Sequence, residues 1–540
     1  MEVNALEPQN PGILEPYFRV YMIGRIVTEL QSLGLRYEGP VLKRSGGAGP
    51  AEGGSLLLNG KAVCVPYSGP YVAESPFCLK EEGGQVLLFK GEQSVGPVVL
   101  IKRPRFYDLT TSENIPYPKI ALLHGQDCLA STIMQTCANW RDAQPCRFCG
   151  IELSLMNQQT IARKAPQQLA EVAQRAKELD FIRQVVLTTG RAAHSGEEID
   201  HLARCAKAVK KSTGLPIQAQ FLPPPGLDGF DRLKEAGVDS VGIHVESFDF
   251  DVLSKVAPGK AKMGHGEYVR AWKKAVELFG SNQVSSFLIV GLGESEESVV
   301  MGAEFLADLG VYPFIVPFRP IPGSMMEAVR PPDPQKMVRI YKAVAELLKR
   351  KGLTMFRQKA GCVRCGACSA MGFFEQRNNG LICHPVRCRK ELVQALEIRN
   401  QVFVQEQNLF DQSDADPNDD KSIHLVAELE DQIIGTVRVF PNENKGHWVG
   451  GRLAIKKEHR HSGAGELLVR EAVGYVKKQV CYRFTAHIQK ENVPFFSRLG
   501  WKAIGPVSEY HAKPHQLMEA DLEDHVAITP TVVPHQGGRS

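Results

Sequence analysis

Residues 137–149 read Cys137-Ala-Asn-Trp-Arg-Asp-Ala-Gln-Pro-Cys146-Arg-Phe-Cys149. Three cysteines fall in one short stretch, the last two spaced C-x2-C with Phe148 before the third, and no histidine lies between them. Close thiols without imidazole suit soft iron or an iron–sulfur cluster better than a hard cation. A cubane held by three thiolates also leaves one iron free to chelate a small molecule. Two plainer readings fit the same residues: a zinc knuckle and buried free thiols. Cys128, just upstream, is an alternative to Cys137 as first ligand.

Outward from this stretch, the chain beyond Lys119 alternates short apolar runs with amphipathic ones. The apolar runs are Ile120–Leu123, Val185–Thr188, Pro216–Phe221, Val241–Val245, Phe287–Val290 and Tyr312–Val316. Each is near-continuously apolar, as a parallel strand buried on both faces requires. Gln167–Leu179, Glu197–Lys211, Tyr268–Phe279 and Glu296–Leu309 carry helical periodicity between them. Six strands alternating with helices predict a partial (β/α)6 barrel of α/β class, with chemistry at the carboxyl ends of the strands. The cysteine loop follows the first run. Thr188, Thr189 and Gly190 end the second, Glu246 and Ser247 the fourth, Gly291, Gly293 and Glu294 the fifth, and Arg319 the sixth.

These features together resemble the radical S-adenosylmethionine (SAM) enzymes. In that family a cysteine loop binds a [4Fe-4S] cluster with SAM on the fourth iron. The usual spacing is C-x3-C-x2-C; here the first gap is eight residues, while the C-x-aromatic-C end is kept. The resemblance implies Cys137, Cys146 and Cys149 as cluster ligands. It implies Thr188–Gly190 as the segment receiving the methionyl amino group, although the acidic residue often found there is absent. Glu246 and Ser247 are implied as contacts to SAM ribose or methionine, and Gly291, Gly293 and Glu294 as the adenine-lining strand end. The chemistry implied is reductive SAM cleavage to a 5′-deoxyadenosyl radical, with an electron donor such as ferredoxin or flavodoxin.

Further on, Cys362-Val-Arg-Cys365-Gly-Ala-Cys368 makes two overlapping C-x2-C steps. Gly361 and Gly366 allow the tight turns that bring thiolates together. An auxiliary iron–sulfur cluster and a structural zinc both fit. The fourth ligand is open between Cys383, Cys388 and a residue outside the segment.

From Lys390 a second pattern starts. Leu392–Phe403 has helical periodicity, and Leu425–Leu429, Ile433–Phe440 and Trp448–Ile455 alternate as antiparallel strands. Arg460-His-Ser-Gly463-Ala-Gly465 then opens a helix. Glycines there let the backbone approach a ligand, and unpaired helix N-terminal N–H groups hold a pyrophosphate. This stretch resembles the GCN5-related N-acetyltransferases, an α+β fold. The resemblance implies acetyl-CoA held by Leu453, Ile455, Arg460, Gly463, Gly465 and Asn492, with Cys481–Ile488 splayed to admit the pantetheine arm. Where many relatives carry a general-acid tyrosine, this chain has Phe496, which has no proton to give. Tyr510, His511 and His487 are the alternative proton-transfer groups.

Both halves together are similar to a radical SAM protein and a nitrogen-starvation-type acetyltransferase encoded near a nitrilase in bacterial operons. Ala121–Gly125, Val241–Glu246, Ala360–Ser369 and Pro514–Met518 carry that closer likeness. It implies chemistry on a small nitrogen-containing metabolite or natural-product precursor, and products of a neighbouring nitrilase operon as partners. The rival reading from another class is a metal-stabilised binding scaffold with one active acetyltransferase domain.

Length and composition bound these readings. At 540 residues the chain exceeds one core, and 43% hydrophobic with 23% charged residues is ordinary for a globular protein. A net charge of +4 without a basic stripe argues against nucleic acid. No apolar run reaches the ~18–20 residues of a membrane span. Of 13 cysteines, eight crowd into the two clusters, which with an N-terminus lacking a signal pattern predicts a reducing, cytoplasmic setting. Short alternating runs between Tyr17 and Tyr107, with a hairpin at Asn59-Gly60, predict a β-rich accessory module. The domain reading is therefore 1–115 accessory module, 116–355 barrel, 356–389 Cys-rich segment, 390–527 acetyltransferase and 528–540 disordered tail.

Overall fold

The computed structural model describes residues 23–37, 39, 53–58, 60–82, 85–180, 182–194, 196–378, 381–429, 432–460, 462–479, 481–510 and 513–522. The chain forms two compact units, one within Phe18–Asn378 and the other within Asn379–Ser540.

The first unit opens with a helix over residues 23–33, followed by a five-stranded sheet. Its strands are β1 (Gly54–Leu58), β2 (Lys61–Val65), β3 (Phe77–Glu82), β4 (Gln85–Lys90) and β5 (Gln93–Leu100), in the order β2-β1-β5-β4-β3. The pairing Leu58↔Lys61 flanks the expected hairpin. The glycine-rich stretch from Gly46 to Gly49 lies outside the described residues.

A seven-stranded sheet follows: β6 (Leu122–His124), β7 (Cys128–Met134), β8 (Gln184–Thr189), β9 (Ile217–Gln220), β10 (Ser240–Gly242), β11 (Val284–Val290) and β12 (Val311–Pro317). The order is sequential, β12 to β6; β7 to β12 pair in parallel and β6 pairs antiparallel to β7. This is the open, curled half-barrel that six βα units predict. The first parallel strand is a correction: it is Cys128–Met134, and the expected run Ile120–Leu123 overlaps only the antiparallel edge strand.

Helices fall where the periodicity placed them, at Pro166–Asp180, Glu197–Thr213, His265–Phe279 and Glu296–Asp308. Their ends have local causes. Ser295 Oγ accepts from the Ser298 N–H at 3.1 Å, and Gly214 closes Glu197–Thr213 in the left-handed region. Trp272 is fully buried and its indole N–H donates to the Ile243 carbonyl at 3.0 Å, tying helix to sheet.

One continuous core runs from Val27 through the small sheet and the barrel to Phe374. The segments drawn separately as 1–115, 116–355 and 356–389 therefore share a core over most of their length. The last of them is divided: residues up to 378 pack with the barrel, whereas β13 (Ile382–Pro385) pairs with β14 (Ile423–Leu429) in the second unit.

That unit has a seven-stranded sheet ordered β13-β14-β15-β16-β17-β19-β18, with β15 (Gln432–Pro441), β16 (His447–Ile455), β17 (Arg483–Gln489), β18 (Trp501–Tyr510) and β19 (Lys513–Ala520). Helices Arg389–Arg399 and Ala464–Lys477 pack against it. A buried ionic network fixes the connection before β14. Arg399, wholly buried, bridges Asp414 at 2.8 Å and Asp419 at 2.6 Å, and Arg452 reaches Asp414 at 3.0 Å. The expected tail 528–540 lies outside the described residues.

Candidate active sites

The cysteine loop leaves β7 at its carboxyl end and is pinned by backbone bonds. Ala138 N–H donates to the Arg191 carbonyl at 2.9 Å, Arg147 N–H to Val256 at 2.8 Å, and Cys137 N–H to Glu152 Oε1 at 2.9 Å. Arg191 follows β8 and Val256 follows β10, so the loop lies across the carboxyl edge of the sheet. Cys146 and Phe148 pack on Val252, Leu253 and Leu292 in a small apolar cluster. Burial raises both inner thiols, Cys146 to about 12 and Cys149 to about 11.

Gly190 lets the end of β8 press against this loop: a Cβ there would stand 2.1 Å from the Thr136 carbonyl oxygen. Thr188 and Thr189 end the strand, with Thr189 Oγ1 donating to the Gly190 carbonyl at 2.9 Å. Glu246 follows β10 in the left-handed region, φ 73°, which is rare for a non-glycine residue and a mark of functional sites when the surroundings hold it. Its Oε1 accepts from Lys260 Nζ at 2.6 Å, and Lys260 also donates to the His244 carbonyl at 2.8 Å. Glu246 keeps Lys260 charged although burial pulls the other way. The other carboxylate oxygen, Oε2, is buried without a hydrogen-bond partner, and the pair lies within electrostatic reach of Cys146 and Cys149. An unmet acceptor beside three thiols fits a bound cation or hydrogen-bond donor.

Two expected site residues are occupied locally. Glu294 accepts the Gly291 N–H at 2.8 Å and the Leu292 N–H at 2.9 Å, so its carboxylate holds the glycine turn. Ser247 Oγ accepts from the Asp249 N–H at 3.1 Å. Gly291 and Gly293 have φ of 108° and 122°, a conformation glycine alone adopts freely. Sequence reasoning missed Lys260 and the barrel-lining His244. His244 Nδ1 accepts from the Phe287 N–H at 3.2 Å, which leaves the proton on Nε2, buried and unpartnered. Burial, then Lys260, lowers its pKa to about 3. His244 lies two residues before Glu246, so strand alternation was the available signal.

The second cysteine group lies at the opposite end of the sheet. Cys362–Cys365 is one helical turn, and residues 360–362 bond to the strands' amino-terminal feet. Gly361 N–H donates to Gln184 Oε1 at 2.9 Å, Cys362 N–H to Gln218 Oε1 at 3.2 Å, and Ser240 Oγ to the Ala360 carbonyl at 2.9 Å. Cys128 is the first residue of β7, buried inside the sheet and packed with Ala130, Val186 and Cys365. It is therefore no alternative to Cys137. Cys383 lies in β13, its thiol raised by burial in the second unit, and Cys388 caps the helix Arg389–Arg399. Both belong to the second unit, whereas Cys362 belongs to the first. Among the described residues no three His, Cys, Asp or Glu side chains converge on a single-ion position. A cubane asks for a wider set, since each thiolate holds its own iron.

In the second unit β16 and β17 pair in parallel only from His447↔Arg483 to Gly450↔Ala486. Beyond that register they part, leaving Leu453 and Ile455 on one strand and His487 on the other. Gly463, φ 88°, caps the helix Ala464–Lys477, and a Cβ on it would meet nothing within 4 Å. Gly465 lies over Ile455 and Phe495. Arg460 is held bidentately by Glu406, at 2.7 and 2.6 Å, so its guanidinium faces that carboxylate. Asn492 is exposed and donates to Gln489 Oε1 at 3.3 Å. Phe496 is buried edge-on to Trp501 at 5.5 Å. Tyr510 lies edge-on to His515 at 5.4 Å. His515, which sequence reasoning missed, lies opposite Gln489 of β17 and within electrostatic reach of His487. Burial lowers the His487 pKa, with His515 adding to it. His511 lies outside the described residues.

The sequence matches the Radical SAM superfamily over residues 133–306 and the Acetyltransferase (GNAT) family over residues 390–501. A Bacillus subtilis (strain 168) protein that bears an acetyltransferase name is 30% identical over 138 residues, which are 25% of this chain and 91% of that protein. The chain joins a radical SAM domain to a GNAT acetyltransferase. On the radical SAM side, the bacteriochlorophyllide c C-7(1)-hydroxylase of Chlorobaculum limnaeum is 26% identical over 242 residues, 41% of this chain. The match spans 60% of that hydroxylase's length. Among solved structures, Escherichia coli ElaA is 19% identical and covers 26% of this chain and 99% of its own, with TM-score 0.24. Both halves belong to enzyme families. A radical SAM domain implies a [4Fe-4S] cluster and SAM; a GNAT domain implies acetyl-CoA or CoA. No helix among the described residues is long and apolar enough to cross a membrane.

Proposed function

We propose that the radical SAM domain holds its [4Fe-4S] cluster on Cys137, Cys146 and Cys149 and activates SAM for hydrogen abstraction from a small nitrogen-containing metabolite or natural-product precursor. The observation that carries this is the buried, unpartnered Glu246 Oε2, on a carboxylate paired with Lys260 and within electrostatic reach of Cys146 and Cys149. The bound cluster and SAM supply the radical chemistry, fed by an electron donor such as ferredoxin or flavodoxin. The protein's own residues bind and orient. Glu246 offers an acceptor for ribose hydroxyls or the methionyl ammonium, Thr188–Gly190 supplies backbone groups, and the Gly291–Gly293 turn is the strand end offered to the adenine. His244 keeps a buried N–H beside Gly242.

The acetyltransferase domain transfers an acetyl group to an amine. The acceptor nitrogen attacks the thioester carbon, the C–N bond forms, the C–S bond breaks, and CoA leaves as thiolate. The parted strands β16 and β17 admit the pantetheine arm, and the turn at Gly463–Gly465 takes the pyrophosphate on helix N–H groups. His487, His515 and Tyr510 are the groups placed to move the acceptor's proton. A cytoplasmic setting and a nitrilase-linked operon fit this reading.

Anaerobic reconstitution with iron, sulfide and SAM tests it by measuring 5′-deoxyadenosine. Cys146→Ala and Cys149→Ala should each abolish its release. Reconstituted protein that binds iron but releases none would favour the scaffold reading. An independent thiol-held metal centre at Cys362, Cys365 and Cys368 completes the proposal.

A further inference from the structure

We infer that Cys128 is the fourth ligand of a thiolate-held soft-metal centre with Cys362, Cys365 and Cys368, built into the amino-terminal end of the half-barrel. This deepens the auxiliary-centre reading and rests on it. Cys362 and Cys365 stand at i, i+3 on one helical turn and so share a face. Gly366, φ 67°, then turns the chain toward Cys368, whose carbonyl accepts from the Arg319 guanidinium at 3.3 Å. Cys128 enters from the opposite wall as the first residue of β7, packed in one pocket with Cys365 and within electrostatic reach of Cys362.

The surroundings have the form of a site. Gly125, in the turn between β6 and β7, has φ 58°, and a Cβ there would stand 2.6 Å from Cys365 Sγ. Only glycine leaves space for that sulfur. Gly361 has φ 109°, and its Cβ would fall 2.1 Å from the Gln218 amide. Gln220 Nε2 donates to Cys362 Sγ at 3.2 Å, as N–H groups do to the sulfurs of thiolate-bound metals. The Ala367 carbonyl is held by the Gln31 side chain at 3.0 Å and the Cys64 N–H at 2.7 Å, which fixes the turn carrying Cys368. Four thiols from two segments far apart in sequence, with backbone shaped around the Cys365 sulfur, are what a cluster requires, each thiolate holding its own iron. Each thiol releases its proton on binding, and no electron leaves the protein in that step.

The test uses full-length protein carrying Cys137→Ala, Cys146→Ala and Cys149→Ala, reconstituted anaerobically and assayed for iron, sulfide and zinc per chain. Residual iron with sulfide is expected, the mark of a cluster; zinc without sulfide would overturn the cluster. Adding Cys128→Ala should lower that metal by about tenfold, whereas adding Cys205→Ala, a buried thiol in the helix Glu197–Thr213, should leave it unchanged. Metal-free triple variant would overturn the auxiliary centre itself. Undiminished metal after Cys128→Ala would overturn the ligand assignment alone. Cys128→Ala in the natural chain should retain the iron of the first site, which separates ligand loss from misfolding; loss of all iron there would count against the assignment.

Discussion

Glu246 and Lys260 form the buried charge pair on which the proposed SAM site rests, and their linkage makes a prediction. Lys260→Met leaves a buried carboxylate without its cation, a change that costs about 3–5 kcal/mol in comparable pairs. The double variant with Glu246→Gln should recover much of that loss. Thermal melting of both checks it; an unchanged melting temperature in Lys260→Met would show that the pair does not hold the fold. A second residue gives a pH signature. His201 Nε2 lies 3.0 Å from the Lys164 carbonyl, and burial, then Arg163, lowers its pKa to about 4. The unfolded chain binds that proton near pH 6.5, so the contribution is whole above 6.5 and is lost as pH falls toward 4. The stability gap between the natural protein and His201→Gln should narrow by roughly 3 kcal/mol over that window. A gap independent of pH would show that His201 titrates normally.

At the scale of elements, the parting of β16 and β17 beyond Gly450↔Ala486 and the turn at Gly463 are where we propose acetyl-CoA to bind. Gly463→Glu places a side chain and a negative charge in open space, so the fold should lose only about 1 kcal/mol from the positive φ. CoA affinity should fall at least about tenfold, read by calorimetric titration, while 5′-deoxyadenosine release stays unchanged. Unaltered CoA binding would remove the pyrophosphate from this turn. The same scale shows what the sequence made legible. Buried parallel strands such as Val311–Pro317, read as Tyr312–Val316, were readable because both faces are apolar over their length. Cys128–Met134 was not, because Ser131 and Thr132 interrupt it, and the edge run before it is more continuously apolar. The cysteine loop and the Gly463 turn were local in sequence and so visible. Lys260, His515 and the Glu406 partner of Arg460 reach their sites by tertiary approach, which spacing does not encode.

For the whole molecule, the boundary between units at 378/379 replaces the line drawn at 389/390. Protein cut to begin at 379 keeps β13 and its pairing with β14; protein begun at 390 exposes a bare sheet edge. The first should fold and bind CoA alone, and the second should melt lower and aggregate. Equal melting temperatures would show β13 to be dispensable. The barrel has a different kind of dependence. Gln31 in the first helix closes on the Ala367 carbonyl, 336 residues later. Synthesis at ~5–20 residues per second puts about 20–70 s between those two residues. Throughout that interval Cys128 waits for the turn that carries Cys362 and Cys365, which the ribosome delivers last, so this end of the barrel closes only once nearly the whole first unit has been made.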